Sequence, residues 1–530
     1  MTQPTAPVPS EPSAPAEHAA VPGSPAQARI AVLLDHPGEG DTRVIATVRA
    51  LMRGGHCVRL FTLHRRTVDA SPPQRPTSAD LLDLDVLPID FDDREIVPGW
   101  QRLAGRRPNK ARPAGAVALS GAADTPPGAT SPSRPAPSPR PADRQVRAAP
   151  ARPPVRRSWV GRLNATLGAL FWHRAAARAM AAPLARFSPD LIIANDLTML
   201  GAGVAAGRAL GARVVYDAHE YEAGRNGVQH TLAEAVRQAF EPLLLPRADA
   251  VVTVSESIAE QLRADHARAR AVAVVPNAAP VAPAEPDHAW RASLDLPHDA
   301  RLALHVGSLA AGRGLEHVID ALAGVPDLVF ACIGHVTPER QAALELRAAQ
   351  AGVTARVRIL PPVPSDHVGA VVATADFTVI AVQPSCTSYR LCLPNKLFQS
   401  LSVGTPVVAT PLPEIEAVLD WLGEGVVADG FDAPALQQAL KRAATLRNKG
   451  KPDLAQLEPF GRAAADARWN RLARNMLEGA APDREMHRLP HADSTLAALP
   501  PRPPSETTPR GWRRMLGRVL VAVVGRASLA

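Results

Sequence analysis

The sequence predicts an α/β protein of two doubly wound parallel-sheet domains facing a common cleft. Three observations lead there. Short apolar runs alternate with helical patterns, first over residues 29–277 and again over 302–446. Such alternation marks βαβ units and parallel sheets. The runs end in small or polar residues, where open sheets of this class place ligands. The 54 prolines of the 530-residue chain gather outside the periodic segments.

Residues 1–28 are Pro/Ala-rich without periodicity and read as a disordered tail. "RIAVLL" (29–34) is the first strand. The loop "DHPGEGD" follows, with Gly38 and Gly40, which permit close backbone approach to a ligand. Arg43 opens the helical pattern after it. The loop lacks GxGxxG, so a dinucleotide reading is weak. "CVRLFTL" (57–63) is the next strand. After residue 158 come a long helical pattern (159–187) and a strand, "DLIIAND" (190–196). The strand ends "ARVVYDAHE", "ADAVVTVSES" and "AVAVVPN" repeat the theme.

The second series opens with "LALHVGSLAAGRGLEHVIDAL" (302–322). "LVFACIG", "RVRIL", "FTVIAV", "PVVAT" and "GVVAD" continue it, with helical patterns between. Residues 459–478 read as a last helix, and 481–510 as another Pro-rich linker.

Charge narrows the function classes. The net charge is +8, yet residues 102–157 hold twelve Lys/Arg, twelve Pro and only two carboxylates, Asp124 and Asp143. The rest of the chain is near neutral, so the basic balance belongs to an insertion and does not argue for nucleic acid. That insertion has no interleaved aromatics for base stacking. It reads as a solvated spacer, with a weak anchor to acidic lipid or a partner as the alternative. Cys57, Cys332, Cys386 and Cys392 show no CxxC spacing. No stretch approaches the ~20 apolar residues of a membrane span. A cytoplasmic location follows by default. The basic, apolar segment 511–530 leaves two options: contact with the inner face of the membrane, or docking as an ordinary helix.

Four clusters carry candidate chemistry. In "HVGSLAAGRGLEHVI", Gly307, Ser308 and Arg313 lie between a strand and a helix start, an anion-binding arrangement. Arg313 adds a fork that matches phosphate oxygens. A solvated arginine is the plain alternative. In "LPNKLFQSLSVGTPVVAT", Pro394 and Asn395 suit a helix start, Asn395 as its cap. Lys396 sits where the helix dipole disfavours a cation, which makes sense beside a larger negative charge. Lys396 and Gln399 share a helical face. Alone, Lys396 would read as an exposed lysine; with Arg313 it suits a diphosphate.

In "YDAHEYE", Asp217, His219 and Glu220 cluster at a strand end and are expected to point into the cleft. His219 would bond a sugar hydroxyl, although a lone histidine there is often structural. The "DHPGEGD" loop with Arg43 is the fourth cluster. "DFDD" and "DLD" (83–93) mimic acidic metal motifs but have no histidine ligands close by. No metal site is expected, and GxSxG, HExxH and P-loop motifs are missing.

The motifs "DTRV…LMRGGHCV", "YDAHE", "ADAVVTVSES", "VVPNA", "VGSLAAGRGL" and "LPNKLFQSLSVGTPVVAT" resemble those of retaining, nucleotide-sugar-dependent glycosyltransferases of the two-Rossmann GT-B class, family 4-like. The likeness runs over about 29–101 and 158–478. It implies an acceptor-side Rossmann-like domain (29–280, with the 102–157 insertion) and a nucleotide-sugar-binding one (281–458). A crossover helix (459–480) and a Pro-rich tail (481–530) follow.

It further implies transfer from a UDP- or GDP-linked sugar to a glycan, lipid-linked or small-molecule acceptor, with retention and without metal or other cofactor. Arg313 and Lys396 would bind the diphosphate and stabilise the departing nucleotide. Gln399 would stand at a glutamate position that holds the ribose. His219 would lie near the reacting carbon. Gly38, Gly40, Arg43, Asp217 and Glu220 would border acceptor or donor sugar. Three departures stand out: Leu391 and Gln399 replace the family's paired glutamates, and Ser308 replaces an arginine. They keep a second reading open, a catalytically weakened relative acting as a binding or scaffold subunit. A nucleotide-sugar epimerase on the same architecture is a third.

Overall fold

The computed structural model describes residues 27–39, 41–66, 81–92, 96, 159–225, 232–266, 271–278, 284–297, 300–445, 454–480 and 488–498. Gly40, residues 1–26, the 102–157 insertion and 511–530 lie outside the described residues.

Among the described residues the first sheet has seven parallel strands: β1 (Arg29–Leu34), β2 (Cys57–Arg66), β3 (Val86–Asp92), β4 (Leu191–Asn195), β5 (Arg213–Ala218), β6 (Ala250–Thr253) and β7 (Ala271–Val274). Their order is β3-β2-β1-β4-β5-β6-β7. The chain reverses direction across the sheet between β1 and β4, where Ile30 pairs with Leu191. The second sheet has six: β8 (Arg301–Val306), β9 (Leu328–Ile333), β10 (Val357–Leu360), β11 (Phe377–Ile380), β12 (Val407–Ala409) and β13 (Val426–Val427), in the order β10-β9-β8-β11-β12-β13. Its reversal lies between β8 and β11. Strands buried on both faces need near-continuous apolar runs, and β4, β6 and β9 are buried throughout.

β3 was not legible as a strand. Its "VLPIDFD" carries two acids and Pro88, which the sequence presents as a metal mimic. Among the described residues it is an edge strand paired only with β2, a position that tolerates proline.

Local signals set helix boundaries. The Asp41 side chain accepts from Val44 N (3.0 Å) to start the helix Thr42–Arg53. Ser255 does the same for Glu256–Asp265, accepting from Ile258 N at 3.2 Å. The helix Arg462–Leu477 crosses back to the first domain. Trp469, Leu472 and Met476 join the cluster of Val44, Val48 and Leu51. Asn470 Nδ2 donates to Ala50 O at 3.0 Å.

Residues 488–498 correct the expectation of a Pro-rich tail. Leu489 and His491 are buried, and Ala492–Ala498 is helical. The segment folds because both domains offer it carboxylates. Leu489 N donates to Glu256 Oε1 (2.9 Å), and His491 Nε2 lies 2.7 Å from Glu414 Oε2. The other Glu414 oxygen accepts from Ser257 N at 2.7 Å, tying the domains together directly. Phe398 stacks on Phe460 (4.8 Å) in the apolar cluster that runs across this junction. Among the described residues no helix is long and apolar enough to cross a membrane.

Candidate active site

Between the strand ends of the two sheets lies a cleft of about 520 Å3. The second domain lines it with Gly307, Ser308 and Arg313, and with Asn395, Lys396 and Gln399. The first contributes His219 and Glu220. Eight of the twelve site residues expected from the sequence therefore share one cavity.

The second-domain half starts at the end of β8. Gly307 has φ 114°, and a Cβ there would stand 3.5 Å from Lys396 Nζ. Gly314 has φ 71°, and its Cβ would collide with Ala381 O, so the loop between them is drawn tight against the sheet. The helices Leu315–Ala321 and Asn395–Leu401 are only seven residues each. Arg313, two residues ahead of the first, and Lys396, within the second, set the local potential more than the dipoles of such short helices do.

Arg313 lays its guanidinium over the Tyr389 ring, 4.7 Å from its centroid, and its Nε is buried without a hydrogen-bond partner. Lys396 Nζ sits 3.2 Å from His305 Nε2. Among the described residues neither cation has a carboxylate within ion-pair distance. Burial and then the Arg313 charge lower the Lys396 ammonium to about 7. Burial and then Lys396 push the His305 imidazole well below its ordinary value, so it is neutral.

Asn395 does not cap its helix. Pro394 is the N-cap (φ −80°, ψ 143°), and Asn395 is the first helical residue, its Oδ1 buried and unpartnered in the cleft wall. Proline's fixed φ suits the extended cap position, and this moves the expected start by one residue.

In the first domain, Asp217 at the end of β5 is fully buried rather than pointing into the cleft. Its oxygens go to Arg43, Nη2 at 2.6 Å and Nε at 3.2 Å, and to His219 Nε2 at 3.2 Å. Burial opposes its charge, but Arg43 and then His219 hold the carboxyl at about 2. Arg43 also donates to Val275 O (2.8 Å) and Asn277 Oδ1 (3.3 Å). His219 adds a contact to Asn195 Oδ1 at 3.2 Å, and its Nδ1 faces Asp196 Oδ2 at 3.8 Å. Burial opposes the imidazolium, yet Asp196 and then Asp217 raise it to about 9. It is therefore a cation at neutral pH.

A second cavity of about 430 Å3 adjoins the cleft, shared by Arg43, His219, Glu220 and Asn395 with His36 and Asp41. Glu220 is paired with Arg225 at 3.1 Å. Gly38 lies outside both cavities. It is buried with φ 86°, and a Cβ there would meet Leu34, Leu60 and Thr62. It makes a tight turn packed over β1 and β2, away from both cavities. Sequence reasoning missed His305, Tyr389, Asn195 and Asp196. Asn195 and Asp196 end an apolar strand, the same signal that exposed His219. Among the described residues no cluster of three His, Cys, Asp or Glu is arranged for a metal.

Residues 116–278 match the model of the glycosyl transferase 4-like domain, and 300–445 that of glycosyl transferases group 1. The chain belongs to the group 1, 4-like glycosyltransferase family. A D-inositol 3-phosphate glycosyltransferase of Corynebacterium urealyticum is 28% identical over 36% of this chain and 44% of its own length. The putative colanic acid biosynthesis glycosyl transferase WcaI of Escherichia coli is 30% identical over 42% of this chain and 58% of its own. The chain thus spans about half the length of these relatives. The structure of Anabaena HepE in complex with UDP and glucose has the same GT-B fold (TM-score 0.57, 14% identity, 85% of this chain and 99% of that one).

Within this glycosyltransferase family, Leu391 stands where a glutamate is expected. Here it is a core residue, 5% exposed, and its polar contacts are made by its backbone, the carbonyl accepting from Ser255 Oγ at 2.9 Å and the N–H donating to Thr387 O at 3.0 Å. Gln399 keeps a place in the cleft.

Proposed function

We propose that the protein transfers a sugar from a UDP- or GDP-linked donor to a glycan, lipid-linked or small-molecule acceptor, with retention of anomeric configuration. One observation carries this reading: Arg313 and Lys396 face a shared cleft without carboxylate partners among the described residues, opposite His219. Two cations left unneutralised in a partly buried site are costly unless an anion completes them. The bound UDP of HepE is an anion of that kind.

In this reading the diphosphate lies across Arg313 and Lys396. Pre-organised cations stabilise charge that develops on a leaving group without reorganising when it appears. As the C1–O bond to phosphate breaks, the acceptor oxygen bonds to C1 and its proton passes to a phosphate oxygen. His219 is anchored through Nε2 on Asp217 and Asn195, while its Nδ1–H, 3.8 Å from Asp196 Oδ2 and so beyond hydrogen-bond distance of it, is the group offered to a donor-sugar hydroxyl. Asp217 is spent on Arg43 and His219 and does not serve as nucleophile. Gln399 would meet the ribose with a neutral amide, which still donates and accepts.

Incubation with a panel of UDP- and GDP-sugars tests this. Slow release of free sugar from one donor, abolished in Lys396→Ala, supports the assignment. No hydrolysis of any donor, with or without candidate acceptors, would leave a binding subunit. The anomeric signal of the transferred sugar by NMR decides retention.

A further inference from the structure

We infer that His305 is a positioning residue for Lys396: its buried, neutral imidazole aims the ammonium at the cleft without cancelling its charge. The inference rests on the reading of Lys396 as a ligand of the donor phosphates, and it adds a residue that this reading does not require.

The geometry fixes the proton. His305 is 1% exposed, near the end of β8. Its Nδ1 lies 3.2 Å from Val379 O on the neighbouring strand. A carbonyl only accepts, so Nδ1 carries the hydrogen, with the Ser308 backbone a lesser hydrogen-bond neighbour of the ring. Nε2 then presents a lone pair, and it faces Lys396 Nζ at 3.2 Å. The ammonium donates and Nε2 accepts. The strand pairing of β8 and β11 holds the ring, and the ring holds the lysine.

A neutral acceptor is the useful choice here. A carboxylate at this point would orient Lys396 equally well, but it would neutralise the charge that a diphosphate must meet. An apolar side chain would leave the ammonium without a hydrogen-bond partner among the described residues. Imidazole gives direction and retains the charge. The other titratable groups acting on Lys396 are Arg313, Cys392 and Cys332. Burial keeps both thiols protonated, Cys392 pushed up to about 12. Gly307, held at φ 114°, lets the backbone turn close beside Nζ.

Two variants separate positioning from packing. The amide of Gln reaches the place of Nε2, and that of Asn only the place of Nδ1. His305→Gln should therefore retain an acceptor for Lys396, while His305→Asn keeps only the bond to Val379. The first readout needs no nucleotide: amine-directed labelling of Lys396 in the full chain, followed by mass spectrometry across pH. The expected half-labelling pH is unchanged in His305→Gln and lower by about one unit in His305→Asn, because the ammonium has lost its acceptor. The second is affinity for UDP and GDP, expected to weaken about tenfold in His305→Asn and less than twofold in His305→Gln.

His305→Asn behaving as wild type in labelling overturns the inference. So does equal loss in both variants at unchanged melting temperature. A wild type that binds neither nucleotide would defeat the functional reading instead, and the labelling contrast would still decide the role of His305. Should the variants not fold, imidazole 15N shifts in the wild type remain decisive. A neutral ring protonated on Nδ1 supports the assignment, and a proton on Nε2 contradicts it.

Discussion

Arg43 and Asp217 form a buried fork at the mouth of the first sheet, with Nη2 2.6 Å from Oδ1 and Nε 3.2 Å from Oδ2. Their side chains are 8% and 0% exposed. Removing one partner strands a buried charge, at a cost of about 3–5 kcal/mol. Arg43→Ala should lower stability by that order in urea denaturation, and His219 loses its alignment with it. The sign with pH follows from the lowered Asp217 value. The stabilisation is complete above the ordinary carboxylate range near 4 and is lost as pH falls toward about 2. A cost under about 1 kcal/mol in Arg43→Ala would mean that the fork is solvated in practice.

Lys396 gives a second pH signature. Its ammonium is lowered to about 7 in the free protein, and a bound diphosphate favours the charged form. Nucleotide binding above that pH should therefore take up a proton, with affinity falling up to about tenfold per pH unit between 7.5 and 8.5. Calorimetry in buffers of different ionisation enthalpy measures the uptake directly. Zero uptake would place the lysine outside the phosphate contacts.

His219→Ala should reduce turnover about 10²–10⁴-fold while nucleotide affinity stays nearly intact. The imidazolium persists up to about 9, so turnover at saturating donor should not titrate with His219 between pH 6 and 8. Equal loss of turnover and affinity would indicate a structural histidine.

Glu414 joins three parts of the chain: its own domain, Ser257 of the first domain, and His491 of the C-terminal segment. Both Glu414 and His491 side chains are fully buried. Glu414→Ala should cost about 3 kcal/mol or more in denaturant unfolding, by leaving Ser257 N and His491 unpaired. Loss of cooperativity, seen as two transitions, would show that this contact couples the domains. An unchanged midpoint would contradict its role as a clasp.

Much of the architecture was legible because buried parallel strands are short apolar runs with polar ends. "DLIIAND" and "LVFACIG" could hardly be anything else, and the cavity drew in His219, Arg313 and Lys396 as expected. β3 was hidden because an edge strand pairs on one side only and can carry Pro88 and Asp90. Asp217 was read as facing the cleft because sequence gives a strand end but not the direction of each side chain along it. His305 was invisible for a different reason: a lone histidine in "LALHV" looks like any core residue until its partner, ninety-one positions on, is placed beside it. The segment 488–498 owes its fold to carboxylates at Glu256 and Glu414, which no local pattern announces.

The central claim, that Arg313 and Lys396 together grip a nucleoside diphosphate, meets its most direct trial in calorimetric titration with UDP and GDP. One nucleotide should bind the wild type at micromolar affinity, with Arg313→Ala and Lys396→Ala each abolishing the heat. Undiminished binding in both variants, or no binding of either nucleotide to the wild type, would contradict it.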